Sequence, residues 1–305
     1  MLDRLAGNAA LKADLAAALA AGRLAHSILL VGERGCGAGF AARCLAADYL
    51  YPAGGPHAEA VLRGEDSECI SIRGEGASGQ IKVERIRAAR EAIQHSALSA
   101  DARGRVMFLY GAQDMNQSSA NALLKIIEEP PEGVLFLFTA ASAAGVLPTI
   151  RSRCAAYTIA PVPGPECAAA LRRRLPRLTR DQADDLAFLY EGHIGLGLAA
   201  ADQPDVREAL ARAREFAALA AQGDAYRALA LVTKLERDKT AAAALLEQLA
   251  FVCSAALRRP GYAGLEAKRA ALLLHACDAA RDALRANGNL RLTLAVFAAQ
   301  CCGAA

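Results

Sequence analysis

NALLKIIEEPPEGVLFLFTA, residues 121–140, holds two elements and the break between them. Ala120, Leu123, Leu124 and Ile127 recur at spacings of three and four, so one face of a helix is apolar. Pro130 and Pro131 then forbid continuation, because proline has no N–H to donate and its ring clashes with the preceding turn. The apolar run that follows, 134–139, reads as a strand.

Working outward, residues 1–160 alternate strand-like runs with helical patterns. Strands are expected at 27–31, 69–72, 106–110, 134–139 and 156–159, and helices at about 8–21, 37–50, 82–97, 117–128 and 145–151. Residues 51–68 read as a loop holding a short helix. Such alternation argues for an α/β fold, a parallel sheet covered by helices on both faces. APVPGPE at 160–166 is a connector, and no strand is expected after it. Short helices are expected at about 165–175, 179–189 and 194–202, and longer ones at about 205–221, 224–236, 239–258, 264–286 and 289–301. Leu245, Leu249, Val252 and Ala256 form a stripe of the kind that packs against other helices.

The formal charge of +3 over 305 residues is too small to argue nucleic-acid binding by itself. The nine cysteines (Cys36, Cys44, Cys69, Cys154, Cys167, Cys253, Cys277, Cys301, Cys302) contain no C-x-x-C. They fit neither a disulfide framework nor zinc-ligand spacing, and reduced thiols in a cytoplasmic protein are expected. No run reaches the roughly 18 apolar residues that span a bilayer. MLDRLAGNAALKADL carries Asp3 and Asp14 and no apolar core of a signal peptide, so neither export nor a membrane partner is expected.

SILLVGERGCGAGF, residues 27–40, is a strand, a glycine-rich turn and a helix start, where backbone N–H groups can cradle phosphate. The full pattern asks for Gly, four free positions, Gly, Lys, then Ser or Thr. Gly32 and Gly37 have that spacing, with Gly35 between them, but Ala38 and Gly39 replace the lysine and the magnesium-holding hydroxyl. An acidic pair should follow a second strand, and there the chain reads Tyr110-Gly111. Asp114 comes too late and better suits a turn or the cap of the next helix. A desolvated triphosphate without lysine or magnesium is poorly compensated. Hydrolysis by this chain alone, a resident cofactor and a metal ion are therefore not expected, although amides of residues 35–39 could hold phosphate or sulfate weakly.

NALLK, EEPP, the strand after them and Pro148-Thr149-Ile150-Arg151-Ser152-Arg153-Cys154 together closely resemble bacterial clamp loaders, the AAA+ assemblies that open the sliding clamp of the replicative polymerase. GRLAHSILLVG at 22–32 and IKVERIR at 81–87 are similar to further clamp-loader segments. The resemblance implies an AAA+ domain at 1–160 with a P-loop NTPase-like sheet, a three-helix lid at 161–203 and an all-α collar domain at 204–305. NGNLRLTLAVF, 287–297, is similar to the last helix of that collar. Within the family, gamma/tau subunits carry Gly-Lys-Thr or Gly-Lys-Ser in the loop and Asp-Glu after the strand. This chain is similar instead to the delta-prime branch of the DNA polymerase III holoenzyme, a DNA-directed DNA polymerase assembly, which keeps the Ser-Arg-Cys arginine while commonly lacking a working site.

That branch usually inserts a zinc module of four cysteines after the loop helix, but residues 49–64 hold no cysteine and only His57, so zinc is not carried over. Leu196 stands where ATPase members place a sensor arginine. The resemblance implies that Arg153 reaches across an interface as an arginine finger for a neighbouring gamma/tau subunit, with Arg151 its local competitor. Gamma/tau and delta subunits are the partners it implies, with the sliding clamp and primer-template DNA reached through the complex. LRRRLPR at 171–177, and Arg85, Arg87 and Arg90, are candidates for phosphate contacts with DNA. Two alternatives remain: a gamma/tau-type ATPase, which needs lysine at 38 and carboxylates at 110 and 111, and a degenerate AAA+ adaptor outside replication.

Overall fold

A computed structural model describes residues 1–76, 79–94 and 99–302. The chain divides into two compact units, Met1–Ala170 with Gly192–Gly195, and Leu171–Glu191 with the chain from Leu196 onward.

The first unit is built on a five-stranded sheet of β1 (Ser27–Val31), β2 (Cys69–Arg73), β3 (Arg105–Tyr110), β4 (Val134–Ala140) and β5 (Ala155–Thr158). Their order is β2-β3-β4-β1-β5 and every neighbouring pair is parallel, with Leu29 opposite Phe138 and Ala156. α1 (Ala9–Ala20) precedes the first strand. Parallel neighbours need helical crossovers, supplied by α2 (Ala38–Leu50), α3 (Pro56–Arg63), α4 (Val83–Ile93), α5 (Gln117–Glu128) and α6 (Pro148–Arg151). Ile28, Leu30, Val106, Phe108, Leu135 and Leu137 face a core shared with Leu15, Leu45 and Leu50. The alternate residues Leu29, Met107, Leu109, Phe136 and Phe138 face a second core with Ile86, Leu123 and Ile127. Burial on both faces is why β1, β3 and β4 read as nearly unbroken apolar runs.

The elements expected from sequence are present, with corrections at their ends. The strand expected at 156–159 starts and stops one residue earlier, although the Ile159 N–H still donates to the Val31 carbonyl at 2.7 Å. The helix expected at 82–97 ends at Ile93, and positions 95–97 lie outside the described residues. The one expected at 145–151 is a 3-10 turn, Ala143–Gly145, followed by the four residues of α6, where Pro148 presets the first helical φ. Asn116, not Asp114, caps α5: its side-chain oxygen accepts the Ser119 N–H at 2.9 Å, worth about 1 kcal/mol. Asp114 ends the 3-10 turn Ala112–Asp114.

The second unit is helical. α7 (Gly164–Arg174) runs into it from the first unit, as does α9 (Ile194–Asp202). With them come α8 (Arg180–Leu189), α10 (Pro204–Gln222), α11 (Ala225–Thr233), α12 (Lys239–Arg258), α13 (Ala267–Arg285) and α14 (Leu290–Cys302). Thr179 and Gln182 form a reciprocal capping box that starts α8. The Tyr190 hydroxyl donates to Gln248 Oε1 at 2.6 Å inside the unit, so both polar groups are satisfied where they are buried. Leu245, Leu249, Val252 and Ala256 are all fully buried on α12. That helix is long and apolar enough to match a membrane span by composition; in this unit its apolar face packs against α10 and α13.

Candidate functional site

β1 delivers the chain to the turn at residues 32–37 and α2 carries it away. The Gly32 N–H donates to the Ala140 carbonyl at 3.0 Å, which pins the turn to the end of β4. A Cβ on Gly32 would stand 2.8 Å from the Ile159 carbonyl oxygen, so this close approach admits only glycine. Gly35 and Gly37 have φ of +95° and +97°. Between them Cys36 is buried; burial, then the charge of Glu33, pushes its thiol above the usual range, so it stays neutral. Glu33 Oε2 lies 3.1 Å from His193 Nε2, and the Gly195 N–H donates to the Gly35 carbonyl at 2.8 Å.

Ala38 opens α2, and Gly39 follows it against an aromatic ring. A Cβ on Gly39 would meet Tyr110 Cε1 at 3.2 Å. That ring stacks on Phe108 with centroids 5.6 Å apart, and the Arg73 guanidinium carbon lies 4.1 Å from its centre, a cation–π arrangement worth about 0.5–1 kcal/mol at such sites. Gly111 has a φ of +79°, and a Cβ there would meet Asp114 Oδ2 at 2.3 Å. Its N–H is directed at Thr139, whose carbonyl and hydroxyl oxygens lie at 3.1 and 3.2 Å. An aromatic ring thus packs on the loop helix at one expected acidic position, and a left-handed glycine tied to β4 occupies the other.

A cavity of about 300 Å³ opens over this turn. Gly35, Ala38, Gly39 and Gly111 are among its walls, with Glu33, Arg34, Gln113 and Thr139 as polar members. The side-chain oxygen of Gln113 accepts the Ala141 N–H at 3.4 Å, and its nitrogen donates to Asp114 Oδ2 at 3.2 Å. Sequence reasoning missed Gln113 and Thr139. Thr139 could have been found as the lone polar residue in VLFLFTA, the run that ends beside the loop. Leu196, half-buried, begins the return of the chain to the second unit.

The second candidate lies at the turn after α6. Ile150 is fully buried and Cys154 packs against the same core, where burial pushes its thiol up to about 12. Those two anchors leave Arg151, Ser152 and Arg153 exposed. Arg153 Nε donates to Glu128 Oε1 at 2.7 Å, and Nη2 pairs with the same carboxylate. Its Nη1 donates to the Thr149 carbonyl at 3.0 Å and to Ser152 Oγ at 3.3 Å. Arg151 Nη1 instead donates to the Ala143 carbonyl at 3.1 Å. Nothing in the sequence assigned Glu128 to Arg153; it read only as part of the helix end.

The remaining sequence candidates are dispersed. His57 stacks on Tyr51 at 5.3 Å, and its Nδ1 lies 3.4 Å from Asp66 Oδ2, which also accepts the Tyr51 hydroxyl at 3.2 Å. Among the described residues no three His, Cys, Asp or Glu side chains converge on a metal-sized site. Arg85 pairs with Glu75 at 3.0 Å, while Arg87 is exposed and Arg90 half-buried on α4. Arg172, Arg173 and Arg174 are exposed, and Arg177 pairs with Asp202 at 2.6 Å.

Residues 7–163, more than half of the chain, match the family described as "DNA polymerase III, delta subunit". The chain belongs to that family. Subunit gamma/tau of DNA polymerase III from Mycobacterium tuberculosis is 36% identical to it over 191 residues, 60% of this chain and 32% of that protein. Subunit delta' from Pseudomonas aeruginosa is 31% identical over 178 residues, 55% of this chain and 53% of that protein. The matches therefore span about a third to a half of these relatives' own lengths. A crystal structure of a DNA polymerase III gamma subunit-related protein from Thermotoga maritima shares the fold, with a TM-score of 0.57 at 19% identity over 95% of this chain and 98% of that one. The fold is AAA+: a parallel α/β sheet followed by helices alone.

Proposed function

We propose that this family member is a delta-prime-like clamp-loader subunit of DNA polymerase III, with a degenerate phosphate loop and no ATPase activity of its own. The observation that carries this reading is the packing of Tyr110 on Gly39 beside the left-handed Gly111. Lysine, magnesium hydroxyl and acidic pair are absent together, and the Tyr110 ring packs where a side chain at residue 39 would stand. Phosphoryl transfer to water is catalysed mainly by positive charge around the transferring group. A cavity offering Arg34 beside Glu33, and otherwise neutral atoms, supplies little of it.

On this reading the chemistry belongs to a neighbouring gamma/tau subunit, and Arg153 stabilises the charge developing there, a contribution generally worth about 10³–10⁵ in rate. Its exposed place between buried Ile150 and partly buried Cys154 supports this role. Residues 1–160 would serve as the AAA+ domain, 161–203 as a lid and 204–305 as a collar that joins a subunit ring. Gamma/tau and delta subunits are the direct partners, the sliding clamp and primed DNA are reached through the complex, and the assembly works in the cytoplasm.

A gamma/tau-type ATPase is the second reading, favoured by the 36% identity to the mycobacterial gamma/tau protein. Calorimetry with Mg·ATP on the isolated chain, followed by reconstitution with gamma/tau and delta from the same source, separates the two. Absent micromolar binding with formation of a stable complex is the expected result. Tight Mg·ATP binding with turnover by the isolated chain supports the second reading instead, and failure to enter the complex sinks both.

A further inference from the structure

We infer that Glu128 is a positioning residue for Arg153, holding the guanidinium parked on its own domain until a phosphoryl group on a neighbouring subunit takes it over. This rests on the reading that Arg153 serves a neighbour's site, and it adds the residue that controls its delivery.

A guanidinium has five N–H donors and grips phosphate through two of them side by side. The Nε–Nη2 edge of Arg153 is filled by the Glu128 carboxylate. The other edge begins at Nη1, which is engaged by the Thr149 carbonyl and Ser152 Oγ. Neither edge is open for a two-point grip; the Nη1 side is held by two groups of the guanidinium's own turn, so the edge held by one exposed carboxylate is the one to free, and Glu128 yields when phosphate binds.

Two features suit Glu128 to that release. It is the last residue of α5, where a carboxylate meets the negative end of the helix dipole. Helix stability therefore gives no reason for a glutamate at this position, whereas its arginine partner does. The pair is also exposed, with Arg153 at 36% and Glu128 at 47% side-chain accessibility, and exposed pairs are weak enough for a more highly charged phosphate to displace. The origin of the carboxylate is fixed, since Ile126 and Ile127 are buried just before it and Pro130 stops the helix just after.

The test is steady-state ATP hydrolysis by the complex reconstituted from full-length chains, with and without clamp and primed DNA. Glu128→Gln keeps the shape and removes the charge. Its expected effect is a rise of about two- to fivefold in kcat without DNA, the range a weak ion pair allows. The KM for ATP, the melting temperature and complex assembly should stay as in the native chain. Glu128→Asp, which keeps the charge, should hydrolyse close to native, and Glu128→Gln combined with Arg153→Ala should match Arg153→Ala alone. An unchanged or lowered kcat for Glu128→Gln, with Arg153→Ala clearly impaired, overturns this inference and leaves the proposed function standing. Unimpaired hydrolysis with Arg153→Ala overturns the finger reading and the inference with it.

Discussion

The ring of Tyr110 stands against the one carbon that residue 39 lacks: a Cβ there would come 3.2 Å from Tyr110 Cε1. The residue without a hydroxyl at 39 and the residue without a carboxylate at 110 thus meet in one packing contact. The ring has little room to retreat, being stacked on Phe108 with Arg73 over it. Gly39→Ser should destabilise the chain by about 1 kcal/mol, overpacking outweighing the better helix propensity of serine. In a Tyr110→Ala background the same change should cost nothing. A double-mutant cycle in urea measures the coupling, and additivity within about 0.3 kcal/mol would mean that the ring does not constrain position 39.

Restoring the loop lysine alone should not restore nucleotide binding. Ala38→Lys returns one charge, but residues 39 and 110 still offer no ligand for magnesium, and Gly111, at φ +79°, cannot accept an acidic side chain without strain and a clash with Asp114. Calorimetry should show no heat of Mg·ATP binding for Ala38→Lys. Measurable binding should first appear when Gly39→Thr and Tyr110→Asp are added. Micromolar affinity for the single variant would mean that the hydroxyl and the acidic pair are not needed for binding.

Arg153→Ala should fold and melt like the native chain, because an exposed ion pair contributes about 0–1 kcal/mol. Its effect belongs in the reconstituted complex, where the ATPase stimulated by clamp and DNA should fall by at least about tenfold, the conservative end of what arginine fingers contribute. Arg151→Ala, which removes a donor held by the Ala143 carbonyl, should leave that rate within about twofold. The reverse ranking would move the role to Arg151.

Much of the fold was legible because its signals are local. The unbroken runs at β1, β3 and β4, the prolines after α5 and the TRDQ capping box each state their element in a few adjacent residues. The departure of Ala38, Gly39, Tyr110 and Gly111 from the phosphate-loop pattern is itself a sequence statement, since a motif position is a sequence position. What could not be read is how those positions are packed. Tyr110 meets Gly39, and Gly111 meets Thr139, across elements distant in sequence, and no spacing rule encodes the φ of +79°. Glu128 was hidden for the same reason: 25 residues separate it from Arg153, and only the turn after α6 brings them together. The expectation of Asp114 as a turn or cap residue failed for the cap on local grounds, because Asn116 stands nearer the helix with an equally good acceptor.

Alkaline pH should destabilise this chain earlier than its modest charge suggests. Burial pushes the thiols of Cys69, Cys154 and Cys253 up to about 12 and that of Cys167 up to about 11. An exposed thiol in the unfolded chain ionises near about 8.5. Between those values the unfolded state has released protons that the folded state retains, so stability falls as pH rises. Below about 8.5 both states hold the proton and these groups leave stability flat. The window of loss therefore runs from about 8.5 upward, each thiol contributing a slope of up to about 1.4 kcal/mol per pH unit. Melting temperatures measured under reducing conditions should be level from pH 7 to 8 and drop steeply by pH 10. Cys253→Ala should flatten the slope by about one proton even though it lowers stability at pH 7. A level melting temperature up to pH 10 would mean that these thiols are open to water.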